Sequence, residues 1–258
     1  MFVTTSYDPH PAQLAEARRI SAELGGRCLE RRRMTLAQLR ERFGDADILV
    51  ISKERLEYHR EGRLPLFFHP STASIRIKRL LNGEPDTLLK LAAIEPGDRV
   101  VDCTAGLGSD SIVFSYAVGA SGHVTALESA RVPAYLLQQG LQAYELDVIG
   151  LNEAMRRIEV AEVDHLDYLR GLADDSVDVV YFDPMFRKPI TESTSIKAIR
   201  GMADDRALSL DAIAQARRVA RRIVVLKEHR DSPEFERLGF ELAHRSSTKI
   251  AYGVIRCT

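Results

Sequence analysis

Four acidic side chains stand where hydrophobic strands are predicted to end, and this arrangement has the clearest chemical meaning in the chain. They are Asp102, Glu128, Asp164 and Asp183. Strands of a parallel sheet end together at one edge, and open α/β sheets bind ligands just beyond that edge. Carboxylates in a row there favour a ligand that carries positive charge and offers hydroxyl or amino groups as hydrogen-bond donors.

A glycine-rich turn follows the first of these acids and leads into a predicted helix. Residues 100–110 read VVDCTAGLGSD, in which two glycines let the backbone approach a ligand where a Cβ would collide. Asp102 brings negative charge into this turn, which would repel a pyrophosphate but not a cationic amino acid. The motif therefore indicates S-adenosylmethionine rather than a dinucleotide. The residues predicted to hold it here are Asp102, Ala105, Gly106, Gly108, Ser109 and Asp110.

The other three acids receive roles from the chemistry of that ligand. Glu128, with Ser129, is expected to accept both ribose hydroxyls, and Asp164, with His165, the adenine amino group. Asp183 is expected beside the reactive methyl group. Any one of these acids could instead cap the following helix. Their occurrence on four predicted strands in register favours the ligand site.

A second motif lies at the end of the fourth of these strands. Residues 181–186 read YFDPMF, which resembles the (Asp/Asn)-Pro-Pro-(Phe/Tyr) motif of methyltransferases that act on exocyclic amines of bases. Asp183 and the Pro184 carbonyl can accept the two N–H bonds of such an amine, and Phe186 can stack on the base. These three are the predicted catalytic residues. The competing interpretation is a β-turn followed by a core phenylalanine.

These motifs together resemble one particular family, the bacterial small-subunit ribosomal RNA guanine-N2 methyltransferases. The resemblance covers about residues 69–230 and rests on residues 102–110, the DPMF tetrapeptide at 183–186, and Lys227. It implies that Ser109-Asp110, Glu128-Ser129, Asp164-His165 and Asp183 contact S-adenosylmethionine. The N-terminal unit does not match the family closely, and Arg187 stands where the family has a further proline.

The order of predicted elements indicates a Rossmann-like methyltransferase fold with a small α/β domain before it. After residue 85 strands and helices alternate, which is typical of a parallel sheet covered on both faces. Strands are predicted at 99–103, 123–128, 158–164, 177–183 and 223–228, and helices at 111–118, 131–144, 165–172 and 208–221. Strands at 240–245 and 250–257 should form an antiparallel hairpin. The predicted divisions are a domain at 1–68, a connector at 69–85 and the methyltransferase domain at 86–258.

Basic residues near the predicted ligand edge are candidates for substrate binding. Arg76, Lys78 and Arg79 lie in the connector, where they could contact phosphate without reading sequence. Met185, Arg187 and Lys227 complete the predicted substrate site. Arg31–Arg33 could extend a basic track, but a solvated face is the preferred interpretation. The polar segment 187–205 is long enough for a lid or binding loop.

The histidines and cysteines predict neither a metal site nor a disulfide framework. His69, His165 and His229 have no metal-ligand spacing, and the three cysteines, Cys28, Cys103 and Cys257, form no CxxC pair. Cys103 could serve as a nucleophile for carbon methylation, but a packed core thiol is preferred.

Composition leaves several function classes open. Of 258 residues, 36 are Lys or Arg and 37 are Asp or Glu, so any site for a polyanion must be a local patch. We expect a cytoplasmic protein, because the start of the chain lacks a signal-peptide pattern and no apolar run suits a membrane helix. The leading hypothesis is an N-methyltransferase acting on ribosomal RNA. The alternatives are a methyltransferase for a small molecule or protein, a nucleotide-dependent oxidoreductase, and a non-catalytic RNA-binding module.

Overall fold

The computed structural model describes residues 1–45, 47–184, 207–245 and 249–257, and these fall into two compact units that divide after Phe68. In the first unit, β1 is parallel to β2 and β3, whereas β4 is antiparallel to β3, giving the order β2-β1-β3-β4. Its elements are β1 (Phe2–Thr5), α1 (Pro11–Glu23), β2 (Arg27–Cys28), α2 (Leu36–Phe43), β3 (Asp47–Ile51) and β4 (Leu56–Arg60).

The second unit contains a seven-stranded sheet in the order β10-β11-β9-β8-β5-β6-β7. Strand β11 runs antiparallel to both of its neighbours, β9 and β10, whereas the other strand pairs of this sheet are parallel. The strands are β5 (Arg99–Asp102), β6 (His123–Glu128), β7 (Glu159–Glu162), β8 (Val177–Phe182), β9 (Ala220–His229), β10 (Glu241–Arg245) and β11 (Ile250–Arg256). The predicted fold, a mostly parallel sheet with a C-terminal antiparallel hairpin, is confirmed.

Helices connect these strands, and the four predicted at 111–118, 131–144, 165–172 and 208–221 lie within a few residues of those positions. Those of the second unit are α3 (Ser71–Leu81), α4 (Thr87–Leu91), α5 (Ser109–Val118), α6 (Arg131–Ala143), α7 (Leu151–Arg156), α8 (His165–Gly171), α9 (Leu210–Val219) and α10 (Glu234–Arg237). The sequence interpretation did not include α3, α4, α7 or α10. Helix α3 occupies most of the segment expected to be a connector. No helix among the described residues is long and apolar enough to cross a membrane.

Strand β8 shows why the sheet forms and how it positions the site. Its residues are apolar almost without interruption because both faces of a parallel sheet are covered. Val180 and Phe182 pack into the core beside α9, whereas the Tyr181 ring meets Phe114 of α5 edge to face, with centroids 5.2 Å apart. Tyr181 is fully buried, so its hydroxyl group needs a partner inside the protein.

The sheet reverses its order at β5, and this reversal locates the ligand edge. Strand β5 has β6 on one side and β8 on the other, so consecutive strands diverge from it in opposite directions. A crevice opens where such a divergence occurs, beyond the carboxyl ends of the strands. Asp102 ends β5, and Asp183 immediately follows β8.

Candidate active site

The glycine turn leaves β5 and folds back toward β6 before α5 begins. The Ala105 amide donates to the Leu127 carbonyl at 2.9 Å, and the Gly108 amide donates to the Ala105 carbonyl at 2.7 Å. Gly106 and Gly108 have φ angles of 55° and 76°, in the left-handed region that favours glycine. A Cβ on Gly108 would lie 2.6 Å from a terminal methyl group of Leu137, so a larger residue would require the Leu137 side chain to move.

Asp102 lies beneath this turn with 1% of its surface exposed. Its carboxylate accepts a hydrogen bond from the Ser111 hydroxyl at 2.5 Å and another from the Thr104 amide at 3.2 Å. Burial raises the pKa of Asp102 to about 7, although the Ser111 hydrogen bond opposes this shift. Within the described residues no cation forms an ion pair with it. A buried carboxylate without a counter-ion suits a ligand that brings its own positive charge.

Glu128 and Asp164 occupy the same edge on the next two strands, and each also organises the local backbone. Glu128 is buried at the end of β6 and accepts from the Ala130 amide at 2.8 Å. Asp164 follows β7 and caps α8, accepting from the Leu166 amide at 2.9 Å. Ser129 is exposed, and the His165 ring meets Phe182 edge to face. The sequence predicted these positions for the ribose and adenine, and those roles stay predictions.

Asp183 is held from two directions at the end of β8. Its amide donates to the Thr104 hydroxyl at 2.6 Å, which ties it to the strand-end turn after β5. Its carboxylate accepts a hydrogen bond from the Lys227 ammonium at 2.6 Å. Burial raises the pKa of Asp183 to about 6 and the Asp110 carboxylate adds to this, whereas Lys227 opposes it. The acid therefore loses its proton close to neutral pH.

Lys227 and Asp110 belong to a buried charge cluster that the sequence interpretation did not foresee. The Lys227 ammonium also donates to Asp110 at 3.0 Å, and the Tyr181 hydroxyl donates to Asp110 at 2.8 Å. Burial would lower the pKa of Lys227, but the Asp110 and Asp183 carboxylates reverse the effect and hold it above its usual value. Lys227 was predicted to bind substrate and Asp110 to bind cofactor, and both roles stay predictions. In the structure each side chain contacts partners within the protein.

Arg76 completes this cluster. Its guanidinium pairs with Asp86, at 2.7 Å and 2.8 Å, and also with Asp110. The side chain is only 17% exposed, and its predicted contact with a substrate phosphate stays a prediction. Arg79 pairs with Glu84 on the surface at 2.8 Å, whereas Lys78 is exposed. Of the predicted basic patch, Lys78 and Arg79 alone lie at the surface.

Several residues of this site had no assigned role in the sequence interpretation. They are Asp86, Thr104, Ser111, Tyr181 and Tyr252, the last of which lies opposite Lys227 across the β9–β11 pair. One local pattern could have located Asp86, because an acid before Thr87-Leu88-Leu89 is a typical helix N-cap. The predicted residues Met185, Phe186 and Arg187 lie outside the described residues, as does the segment 187–205. Among the described residues no cluster of three or more potential metal ligands occurs.

The chain belongs to the family of S-adenosylmethionine-dependent methyltransferases. A family model described as "Putative SAM-dependent methyltransferase" matches residues 33–248. The chain is 41% identical over 254 residues to "Uncharacterized protein YpiP" of Bacillus subtilis (strain 168), covering 98% of both chains. It is 30% identical over 220 residues to ribosomal RNA small subunit methyltransferase J of Dechloromonas aromatica (strain RCB), covering 79% of this chain and 86% of that one.

A solved structure gives the same result at the level of the fold. The SAM-dependent methyltransferase NGO1261 from Neisseria gonorrhoeae superposes with a TM-score of 0.66 at 18% identity, covering 99% of this chain and 96% of that one. The protein is thus an enzyme that transfers methyl groups, and its cofactor is S-adenosylmethionine. The resemblance stated from residues 102–110 and 183–186 is confirmed. The site suits this cofactor, whose cationic groups match the unpaired charge of buried Asp102.

Proposed function

We propose that this methyltransferase acts on the exocyclic amine of a guanine in ribosomal RNA. The position of Asp183 carries the proposal, because the residue lies at the ligand edge, with its amide bound to Thr104 and its carboxylate bound to Lys227. The DPMF sequence that begins at Asp183 and the names of curated relatives such as ribosomal RNA small subunit methyltransferase J support an RNA base as the acceptor.

An aromatic amine needs help to act as a nucleophile, because its lone pair is delocalised into the ring. The ionised Asp183 carboxylate accepts one N–H of the amine and the Pro184 carbonyl accepts the other, which favours a pyramidal nitrogen whose lone pair is less delocalised into the ring. As the N–CH3 bond forms, the S–CH3 bond of the cofactor breaks, and the amine loses one N–H proton during or after the transfer. Phe186, which lies outside the described residues, would stack on the base. S-adenosylmethionine supplies an activated methyl group when bound. Most of the rate then comes from alignment and fixed charges rather than from a strong base.

Lys227 holds Asp183 in the state that this chemistry requires. With its pKa raised to about 6, Asp183 is mostly ionised at pH 7, and the Lys227 ammonium keeps the pKa from rising further. The same ammonium is anchored by Asp110, which is in turn fixed by Tyr181 and Arg76. The acid is therefore oriented by a rigid ionic cluster before any substrate binds.

The test is methyl transfer by the purified enzyme to unmodified small-subunit ribosomal RNA, naked and assembled into subunits, with labelled cofactor. Nuclease digestion and mass spectrometry should find label on the exocyclic nitrogen of guanosine. Asp183→Asn should lower kcat by about 100-fold or more, because an amide cannot replace the charged acceptor that orients the amine. Label on another nucleoside atom, or on protein or small molecules but not on RNA, would refute the proposal.

A further inference from the structure

The N-terminal unit carries three consecutive arginines, Arg31, Arg32 and Arg33, in a tight turn between β2 and α2. The Met34 amide donates to the Arg31 carbonyl at 3.0 Å and closes the turn. Arg32 has a φ of 49°, in the left-handed region that glycine normally occupies. The fold would be less strained with glycine there. Backbone strain of this kind clusters at functional sites.

Both ends of this turn are firmly attached, so the arginines project from a fixed backbone. On one side the Leu29 amide donates to the Val3 carbonyl at 2.9 Å, and the Thr4 hydroxyl donates to the Leu29 carbonyl at 2.7 Å. On the other side Thr35 caps α2 in a reciprocal capping box with Gln38. A binding surface presented this way loses little conformational entropy when a ligand arrives.

Tyr7 lies beside the turn and adds an aromatic surface to it. The Arg31 guanidinium stands 4.1 Å from the centre of the Tyr7 ring, and its Nε donates to the Met34 carbonyl at 3.2 Å. Tyr7 is nonetheless 49% exposed, which is high for a large aromatic side chain. The ring is thus held by an arginine while much of its surface stays open to solvent.

The charge of the turn is only weakly neutralised by the protein itself. Within the described part of the chain, the acid that pairs with Arg32 is Glu30, at 3.8 Å. Their side chains are 80% and 65% exposed, so the pair is strongly screened by water and easily replaced. Arg33 is also exposed. An incoming anion can therefore take the place of Glu30 at low cost.

We propose that this arginine turn, defined as residues 31–33 with Tyr7, is a contact surface for the RNA substrate. Arg32 and Arg33 bind backbone phosphates, and Tyr7 stacks on an unpaired base. The proposal rests on the function proposed above. An RNA strand fits this surface better than an acidic protein segment does, because RNA supplies both phosphates for the arginines and flat bases for the exposed ring.

Arg32→Gly is the most informative variant, because it removes the charge and relieves the strained backbone at the same position. Its thermal stability should equal or exceed that of the wild type. A loss of RNA binding then cannot result from misfolding. Arg33→Ser and Tyr7→Leu remove the other two contacts. Arg63→Ser is the matched control, because Arg63 is an exposed arginine that follows β4 at the opposite end of the same sheet.

Binding of the full-length protein to an unmodified small-subunit ribosomal RNA transcript should be measured at several salt concentrations. We expect Arg32→Gly/Arg33→Ser to bind about 10-fold more weakly, with the slope of log affinity against log salt reduced by about 0.7 per lost phosphate contact. Tyr7→Leu should weaken binding with little change in that slope. Arg63→Ser should resemble the wild type.

Two outcomes distinguish a failure of this inference from a failure of the proposed function. In the first, the wild type methylates RNA, and the turn variants bind and methylate RNA as well as the wild type does. The arginine turn is then not a substrate contact, and only this inference is refuted. In the second, the wild type transfers no methyl group to RNA, which refutes both the proposed function and this inference. Equal competition by polyglutamate and by RNA of the same charge would show a merely electrostatic surface and overturn the inference.

Discussion

Lys227 on β9 donates a hydrogen bond of 2.6 Å to Asp183, the acid that directly follows the neighbouring strand β8. The same Nζ lies 3.0 Å from Asp110 in the first turn of α5. One cation thereby fixes the relative positions of two carboxylates that belong to different structural elements. Removing it should affect both the ionisation of Asp183 and the stability of the protein.

Lys227→Met should shift the acid limb of the pH–activity profile to higher pH. Burial already raises the pKa of Asp183 to about 6, and the Lys227 ammonium opposes this increase. Removing a close opposite charge should raise the pKa of Asp183 further, by about 1–3 units. Activity requires the ionised acid, so kcat/KM at pH 7 should fall, and raising the pH should recover part of it. Lys227→Arg, which keeps the charge, should retain the wild-type midpoint, and an unshifted midpoint in Lys227→Met would contradict the role given to Lys227.

Asp102 should make cofactor affinity depend on pH near neutrality. Its pKa of about 7 means that the carboxylate becomes ionised as the pH rises through that value, and only the ionised form attracts a cationic ligand. Titration calorimetry should show tighter binding at pH 8 than at pH 6, with proton release at pH 7 seen as a dependence of the heat on the buffer. Asp102→Asn should bind more weakly and lose this pH dependence.

Ser111→Ala provides the complementary control for Asp102. The Ser111 hydroxyl donates to Asp102 at 2.5 Å and lowers its pKa, so removing the hydroxyl should move the binding midpoint above pH 7. A midpoint that stays unchanged in both variants would assign the pH dependence to some other group.

Gly108→Ala should disrupt the cofactor turn through a steric clash. The added methyl group would lie 2.6 Å from the Leu137 side chain, and the φ of 76° adds backbone strain. Together these should cost about 2–4 kcal/mol of unfolding free energy and weaken cofactor binding at least 10-fold. Gly97→Ala is the matched control, because the φ of Gly97 is 93° but its added methyl group would lie 3.6 Å from the Ser121 hydroxyl oxygen, an ordinary contact distance. The control should lose stability to strain alone and keep its cofactor affinity.

Arg76→Met should destabilise the protein far more than the same change at Arg79. Arg76 is mostly buried between Asp86 and Asp110, and removing one partner of a buried pair costs about 3–5 kcal/mol. Arg79 and Glu84 are both largely exposed, so Arg79→Met should cost less than about 1 kcal/mol. Urea unfolding of the two variants measures the difference, and equal losses would show that the buried cluster adds nothing specific.

Features that depend on local sequence were predicted well. Hydrophobic runs and glycine positions in consecutive residues were enough to predict the glycine turn at 105–108. They also predicted the strands on either side of the turn and the acids at the ends of those strands. Asp102, Glu128 and Asp183 therefore lie at the predicted edge. The antiparallel hairpin was also predictable, because the chain between β10 and β11 is too short for a crossover helix.

The charge cluster could not be predicted, since its partners are far apart in sequence. Arg76 meets Asp110 across 34 positions, and Lys227 meets Asp110 across 117. Sequence alone offers no reason to choose a distant carboxylate over a substrate phosphate as the partner of an arginine. Helix α3 was missed for a related reason. The basic residues at 76, 78 and 79 made the segment look like a polar connector, although Ala73, Ser74 and Ile77 are buried on the helix.

Helix α3 determines where this protein can be truncated without breaking the charge cluster. A fragment that starts at residue 86, where the sequence suggested the methyltransferase domain begins, would keep Asp110 and discard the guanidinium that neutralises it. Such a fragment would expose the first turn of α5 to water and leave Asp110 with Lys227 as its remaining cation. Poor folding or weak activity of that fragment would then reflect a severed ion pair rather than the loss of a substrate-binding domain. A cut at residue 69 avoids the ambiguity.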